Sequence, residues 1–418
     1  LIKFVNNRKN QERREMTSNA WTKSLYLSAA LLLSAQMASA AETIKIGVLN
    51  DQSGVFADNG GVGSVAAAKL AAEDFGGEIL GQKIEIITAD HQNKPDIAAA
   101  TARRWIDTEG VDMITDGAAS SAGFAILEVA RQKNKIFTIS GPGSSDFTGK
   151  SCSPISFHFN YDTYALSKLT SEAITKAGGS TWYFISADYA FGSALQRDAT
   201  KFIEAAGGKV IGSSAHPLGT TDMASFLLQA QGSKAKVVGL ATSGADVQTA
   251  IKQAGEFGIV EGGQQLAGLL VFITDVNALG LKATQGLQVT TSFYWDLNEE
   301  TRAWTKRYFA LTGGKVPSMV QAGVYSGVHH YLAAVKAAGT KDPTIVAQKM
   351  HEMKVNDMYN KDVTVRPDGR VLHTMYLVQV KKPEESAYKY DYYKVITASP
   401  GERAFRPMSE GGCPLVKG

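Results

Sequence analysis

The feature that most constrains this chain is a strand–helix rhythm that runs once and then starts again. Residues 44–50 read as a strand, 63–75 as an Ala-rich helix and 82–89 as a strand with period-two alternation. Pro95 and Asp96 open a helix to about residue 108. Then 111–115, 121–133 and 136–140 read strand, helix, strand. The rhythm restarts with helical 164–177, strand 182–186, helix 191–206, strand 210–214, helix 223–231, strand 237–241 and helix 245–257. Strands at 266–272 and 286–292 follow. Repeated βα units predict parallel sheets with helices on both faces. No low-complexity linker separates the two runs. The expected architecture is therefore α/β, two Rossmann-like lobes joined by a multi-strand hinge.

The C-terminal third breaks the rhythm. Three helices in a row are expected at 298–311, 321–338 and 343–353, then a hairpin about Pro367-Asp368-Gly369. Such a helical stretch needs a sheet to cover. The chain is expected to return to the first lobe after residue 292 and to cross back near Arg370. The expected division is 43–160 plus 293–370 for the first lobe and 161–292 plus 371–390 for the second. The tail 391–418 is expected to pack on the first lobe.

The N-terminal segment reads as an address. Lys23, an apolar run at 25–35 and Ala38-Ser39-Ala40 have the order of a secretory signal peptide, with the mature chain starting at Ala41 or Glu42. Residues 1–15 are polar and precede Met16, so Met16 is expected to be the natural start and 1–15 an upstream extension. Without residues 1–40 the formal charge falls from +3 to −1, with 37 basic against 38 acidic residues. A near-neutral chain has no electrostatic footprint for nucleic acid. Export also makes one disulfide between the two cysteines, Cys152 and Cys413, the expectation; the alternative is two unpaired thiols.

Catalytic signatures are weak. Gly61-Val62-Gly63-Ser64-Val65-Ala66 opens a helix as a dinucleotide loop does, but about ten residues separate it from its strand. Close helix packing is the better reading, and no cofactor is expected. His329 and His330 are adjacent on a helix and point about 100° apart, which does not suit a shared metal. There is no GxSxG, HExxH or Walker loop. What stands out is a pair of small, hydroxyl-rich turns after consecutive strands: Gly117 to Ser121, with Ser120 and Ser121, and Ser140 to Ser145, with Gly143 and Ser144. Open parallel sheets bind ligands at such strand ends, and helix N-termini there suit a carboxylate.

Several short segments carry a resemblance. They are Ile44-Lys45-Ile46-Gly47 with Ser53-Gly54, Asp188-Tyr189-Ala190-Phe191-Gly192, Lys252-Gln253-Ala254 and Gln321-Ala322-Gly323-Val324-Tyr325, with Tyr294-Trp295-Asp296 and Gly412-Cys413-Pro414 near the end. In this order, the chain from about Thr43 to Pro400 resembles the leucine/isoleucine/valine-binding family of type I periplasmic binding proteins. The resemblance implies a non-enzymatic periplasmic component of an ABC importer. Such a component binds a small carboxylate-bearing ligand by hinge closure and presents it to a permease in the inner membrane. A periplasmic sensing subunit is the runner-up, and a nucleotide-dependent enzyme comes third.

The same resemblance implies that Ser120, Ser121, Gly143 and Ser144 hold the ligand carboxylate, that Tyr189 closes over the ligand, and that Asn59 lies near the mouth. The second lobe would contribute Ser243, Gly244, Asp246, Phe272 and Asp275. Two positions depart from the family. The acid that meets a ligand ammonium falls in apolar Leu270-Val271-Phe272, with Asp275 as the nearby substitute. A family tyrosine falls at Ser243-Gly244, which is expected to widen the pocket. Both departures point towards a larger, less cationic ligand, such as an aromatic or aliphatic acid, beside the branched-chain amino acids.

Overall fold

The computed structural model describes residues 43–416, so the expected signal peptide and the expected extension before it lie outside the described residues. Thirteen strands form three sheets among these residues. The first is six-stranded, in the order β2-β3-β1-β4-β5-β6. Its strands are β1 (Thr43–Asn50), β2 (Glu78–Ile79), β3 (Gln82–Asp90), β4 (Met113–Asp116), β5 (Ile136–Ile139) and β6 (Ser156–His158). The second has the order β10-β9-β7-β8, from β7 (Thr181–Ala187), β8 (Lys209–His216), β9 (Val237–Ala241) and β10 (Gln265–Gly268). Pairing is parallel along β1-β4-β5-β6 and throughout the second sheet, while β2 pairs antiparallel with β3. Such strands are buried on both faces, and β4, β5 and β9 are indeed buried at every residue. The chain thus has two α/β lobes.

The helix Met319–Ala338 packs on the first sheet, with Pro343–Glu352 against it and Glu299–Thr312 against the helix Gly61–Glu73. Met319–Ala338 packs along Gly61–Glu73, where a Cβ on Gly63 would lie 2.3 Å from both Gln321 Nε2 and Tyr308 Oη. The glycine-rich helix start therefore serves close packing. His330 Nε2 lies 2.9 Å from the Met350 carbonyl and His329 stacks on Tyr325, so neither faces a metal. No group of three or more His, Cys, Asp or Glu able to hold a metal occurs among the described residues.

Three segments cross between lobes: the one after β6, the one after β11 (Gln288–Thr291) and the one before β12 (Met375–Val380). At their meeting point Arg370 is wholly buried. Its guanidinium lies 3.3 Å from Asp162, donates to the carbonyls of His158 and Asn160, and stacks 4.2 Å over Phe405. The Pro-Asp-Gly turn holds Gly369 at φ 82, where a Cβ would meet the Ser156 carbonyl at 2.2 Å. Only glycine suits that approach.

The tail corrects one expectation. Residues 391–418 do not all pack on the first lobe, because β13 (Tyr393–Ser399) pairs antiparallel with β12 in a third sheet, β11-β12-β13. β13 is an edge strand exposed along most of its length, which is why its sequence lacks the alternation of a half-buried strand. Beyond it the chain returns to the first lobe. Cys413 is disulfide-bonded to Cys152, with 5.7 Å between α-carbons, and Arg406 donates to the Ser145 carbonyl at 2.7 Å.

Candidate functional site

The site lies where the C-terminal strand ends of the two parallel sheets face each other. Of the helices of eight or more residues that leave these ends, those starting at Gly61, Pro95, Ser120, Ala190, Ala224 and Ala245 have no side-chain cap, while the one at Thr163, after β6, is capped by Asp162. Helices starting elsewhere, at Glu299, Met319 and Pro343, are capped by Asn298, Ser318 and Asp342. Uncapped N-termini leave backbone N–H groups and a positive dipole end available to a ligand anion.

The loop after β1 is shaped by Asp51. Its carboxylate accepts from Gly54 N at 2.7 Å and Phe56 N at 2.9 Å, which turns Phe56 inward. Asn59 and Gly60 are pinned from the other side. Ser318 Oγ donates to the Asn59 carbonyl, and Gln321 Nε2 to that of Gly60 at 3.0 Å. Asn59 is therefore not at a solvent-facing mouth. It is 2% exposed and lines a small inner cavity of about 20 Å³ with Phe56, Gly60, Asp116, Ala118, Gly141, Tyr161 and Val320. Its Nδ2 has no hydrogen-bond partner.

Asp116 ends β4 with φ 81, an unusual conformation for a non-glycine residue. Its carboxylate accepts from Asn50 Nδ2 at 2.8 Å and Ala118 N at 3.3 Å. Burial pushes this carboxyl above the usual range, against those hydrogen bonds. Tyr161 donates to the Gly141 carbonyl at 2.7 Å, and burial pushes its phenol far up.

Of the residues singled out from sequence, only Asn59 lines this cavity. Ser120 Oγ accepts from Ser144 N at 3.1 Å, and Ser144 Oγ from Asp146 N at 3.3 Å, so these two buried serines tie the turns together. Ser121 is half-buried at the start of its helix. Gly143 packs against the rings of Tyr161 and Phe191. Tyr189 is half-buried, with its ring 6.0 Å from Phe191, and Ser243 is buried. Phe272 stands edge-on to Tyr161 at 5.9 Å.

Two expectations about the second lobe are corrected. Asp275 is not a free acid. Its oxygens accept from Gln248 Nε2 at 2.7 Å and Phe272 N at 2.8 Å, so it caps the short helix Ile273–Leu279. Burial raises its carboxyl to about 7. Asp246 likewise accepts from Gly219 N at 3.0 Å. The missing side chain at Gly244 does not widen the pocket, because the first lobe fills the space. Ala245 N donates to the Val55 carbonyl at 3.0 Å, and a Cβ on Gly244 would lie 2.4 Å from that carbonyl and 2.9 Å from Phe56.

Sequence reasoning missed Asp116, Phe56 and Tyr161. The available signal was the acid itself, which ends the strand Met113-Ile114-Thr115-Asp116 immediately before the serine turn. A larger groove of about 560 Å³ lies on the far side of the loop after β1, lined by residues such as Asp58, Lys69, Asn277, Leu311, Lys315 and Tyr390. None of the residues expected from sequence to bind the ligand lines it.

The chain is 47% identical to a periplasmic binding protein from Burkholderia mallei, over 90% of this chain and 100% of that one, with a TM-score of 0.88. A branched chain amino acid ABC transporter periplasmic ligand-binding protein from Burkholderia xenovorans LB400 is 38% identical, over 89% and 100% of the two chains, with a TM-score of 0.79. A solute-binding protein from R. palustris, solved with benzoate, is 20% identical over 85% and 96%, with a TM-score of 0.75, and shows the shared fold alone. No curated protein matches the chain. The periplasmic binding protein profile matches residues 43–386, and with a two-lobed fold and a cleft between facing strand ends the chain belongs to that family.

Proposed function

We propose that this protein is the periplasmic solute-binding component of an ABC importer, and that it binds a small carboxylate-bearing ligand between its lobes. The observation that carries this reading is the convergence of uncapped helix N-termini on one cleft, beside a buried cavity with an unpartnered amide donor. In this reading residues 1–40 are cleaved on export. The lobes are 43–160 plus 293–370 and 161–292 plus 371–399, the latter extended through β13. A permease in the inner membrane recognises the closed form.

Ligand binds first at the Ser120–Ser121 and Gly143–Ser144 turns. The second lobe then covers it with Tyr189, Phe272 and the Ser243–Gly244 turn. Closure is favoured only by contacts that the open form lacks, so ligand shifts the population towards it. Ser121 supplies a hydroxyl donor at a helix N-terminus, a charge-assisted bond of about 1.5–3 kcal/mol, so Ser121→Ala weakens binding roughly ten- to hundredfold.

A thermal-shift screen of amino acids, aromatic acids and aliphatic acids tests the reading, with small-angle scattering on each hit. A true ligand at a thousand times its Kd stabilises by about 4 kcal/mol and makes the particle more compact. If no solute raises the melting temperature while NAD or NADP does, the binding-protein reading fails.

A further inference from the structure

We propose that the groove on the far side of the loop after β1 is a second solute site, that it takes an anionic amphiphile such as a medium-chain carboxylate, and that its occupant bridges the two lobes. The inference goes beyond the solute-binding reading above and does not depend on which solute the cleft takes.

The groove has a volume of about 560 Å³, against about 20 Å³ for the inner cavity at Asn59. Sites for small organic ligands run from roughly 300 to 1,000 Å³. Its walls come from both lobes. Val62, Val65 and Lys69 lie on the helix Gly61–Glu73, and Leu311 lies on Glu299–Thr312, which packs against it. Thr274 and Asn277 lie on Ile273–Leu279, a helix of the second lobe. Neither the serine turns nor Tyr189 and Phe272 contribute to these walls, so the groove is separate from the cleft site.

The lining combines an apolar stripe with unpaired positive charge. Val62, Val65 and Lys69 follow one another at i, i+3 and i+7, so they share one face of their helix. Val62 is 62% exposed and Leu311 is 46% exposed, and both line the same concave surface rather than standing singly. Lys69 ends the stripe, and Lys315 lines the groove from the loop after Glu299–Thr312. Among the described residues neither lysine is in an ion pair, whereas Arg307 of Glu299–Thr312 reaches Asp74 at 2.8 Å. Among the same residues Asp58 is the only acid on the wall, so positive charge is in excess there.

A carboxylate with an alkyl chain complements both halves of this lining. Its head meets Lys69 and Lys315 while its chain covers Val62, Val65 and Leu311. Exposed apolar area leaves the water, and the two ammonium groups gain a counter-ion. A cationic amphiphile meets the same lysines with like charge. Contacts to Thr274 and Asn277 are made together with those to Val62 and Leu311 only when the lobes stand as they do here. Occupancy therefore favours that arrangement.

The test is calorimetry on the full chain with octanoate, butanoate and octylamine. A buried methylene is worth about fourfold in affinity, so butanoate should bind the groove at least ten times more weakly than octanoate, and octylamine likewise for its charge. Lys69→Glu combined with Lys315→Glu should weaken octanoate at least tenfold, or remove one of two sites if the cleft takes octanoate as well. Ser121→Ala should leave the groove affinity within twofold, and scattering on that variant should still show compaction with octanoate. Both lysines are exposed, and the three probes on the unaltered protein decide even if the double variant does not fold. Octanoate binding that is lost in Ser121→Ala and intact in the lysine variant overturns the inference and supports the solute-binding reading. Butanoate or octylamine binding as tightly as octanoate overturns the ligand class. Binding without compaction overturns the bridging of the lobes. Silence from octanoate overturns the second site and leaves the solute-binding reading standing.

Discussion

Asp116 in the cleft and Asp162 in the hinge are both aspartates with almost no exposure, and they are held in opposite ways. Asp162 caps the helix Thr163–Lys176 through Ala165 N at 2.8 Å and faces the buried guanidinium of Arg370 at 3.3 Å. Asp116 is held by neutral donors alone. Burial pushes both carboxyls up, but at Asp162 the arginine pulls the other way. Burial also pushes the arginine down, to about 10. Where the fold needs a buried charge for its own architecture, it supplies the partner within the chain. At Asp116, on the wall of a small cavity in the first lobe, neutral hydrogen-bond donors stand where the hinge has a cation.

The largest expected effect comes from making the hinge resemble the cleft. Arg370→Met removes the cation and leaves Asp162 buried and unpaired, together with two carbonyls that lose their donor. Breaking a buried pair from one side costs about 3–5 kcal/mol. Urea unfolding should show that loss, and adding Asp162→Asn to the same chain should recover part of it. A loss under about 1 kcal/mol would mean that Asp162 needs its counter-ion no more than Asp116 does, and the contrast would collapse.

Asp275 offers a third buried acid, without a cation and without the cavity. Its folded-state value of about 7 lies above the ordinary carboxyl value of 3.8. The folded chain therefore keeps a proton that the unfolded chain releases. The associated stability is full below about pH 4 and is lost as pH rises towards 7, at no more than about 1.4 kcal/mol per pH unit. In Asp275→Asn that loss is absent. The stability of the variant relative to the parent should improve by about 2–4 kcal/mol between pH 4 and 7.5. A difference that stays constant with pH would show that the Gln248 and Phe272 hydrogen bonds already satisfy the ionised form.

The disulfide sharpens the comparison from the hinge side. Cys152–Cys413 spans 261 residues and fastens the tail to the first lobe, while Lys201 and Lys168 hold the same tail from the second. Cys152→Ser with Cys413→Ser should cost about 2–4 kcal/mol by unfolding, with ligand affinity little changed. A large loss of affinity would place the tail in the closing motion rather than in the static frame.

The fold was legible because strand–helix alternation is a local, periodic property. The restart near residue 164 marks the second run of units, and the three late helices identify the chain's return to the first sheet. The site was less legible for three physical reasons. Asp116 looks like any polar residue before a turn, and only the packing of Asn50, Gly60 and Gly141 around it shows that it is buried. Asn59 was visible as a loop residue, but its burial depends on Ser318 and Gln321, more than 250 residues away. Gly244 misled because a missing side chain makes space only if nothing distant moves into it, and here Val55 and Phe56 do. The strand β13 escaped notice because an exposed edge strand need not alternate.

Gly244 also provides the smallest and most selective test. An alanine there meets two separate penalties. The first is local: φ is 66, in the left-handed region that favours glycine, and this strain is present whether the lobes are apart or together. The second arises only on closure, because the atoms that its Cβ would touch, the Val55 carbonyl and the Phe56 ring, belong to the other lobe. Gly280 separates the two. It has φ 79 with nothing within 4 Å of the position its Cβ would take, so Gly280→Ala carries the strain without the clash. Both variants should lose about 1 kcal/mol in ligand-free unfolding, within the range for alanine at positive φ. Only Gly244→Ala should also lose ligand affinity, by roughly tenfold or about 1.4 kcal/mol, and compact less in scattering when ligand is added. Equal affinities in the two variants would mean that the Val55–Gly244 contact is not part of the ligand-bound form. The cleft would then close on its ligand in a different arrangement from the one in which Asp116 and Asn59 share a cavity.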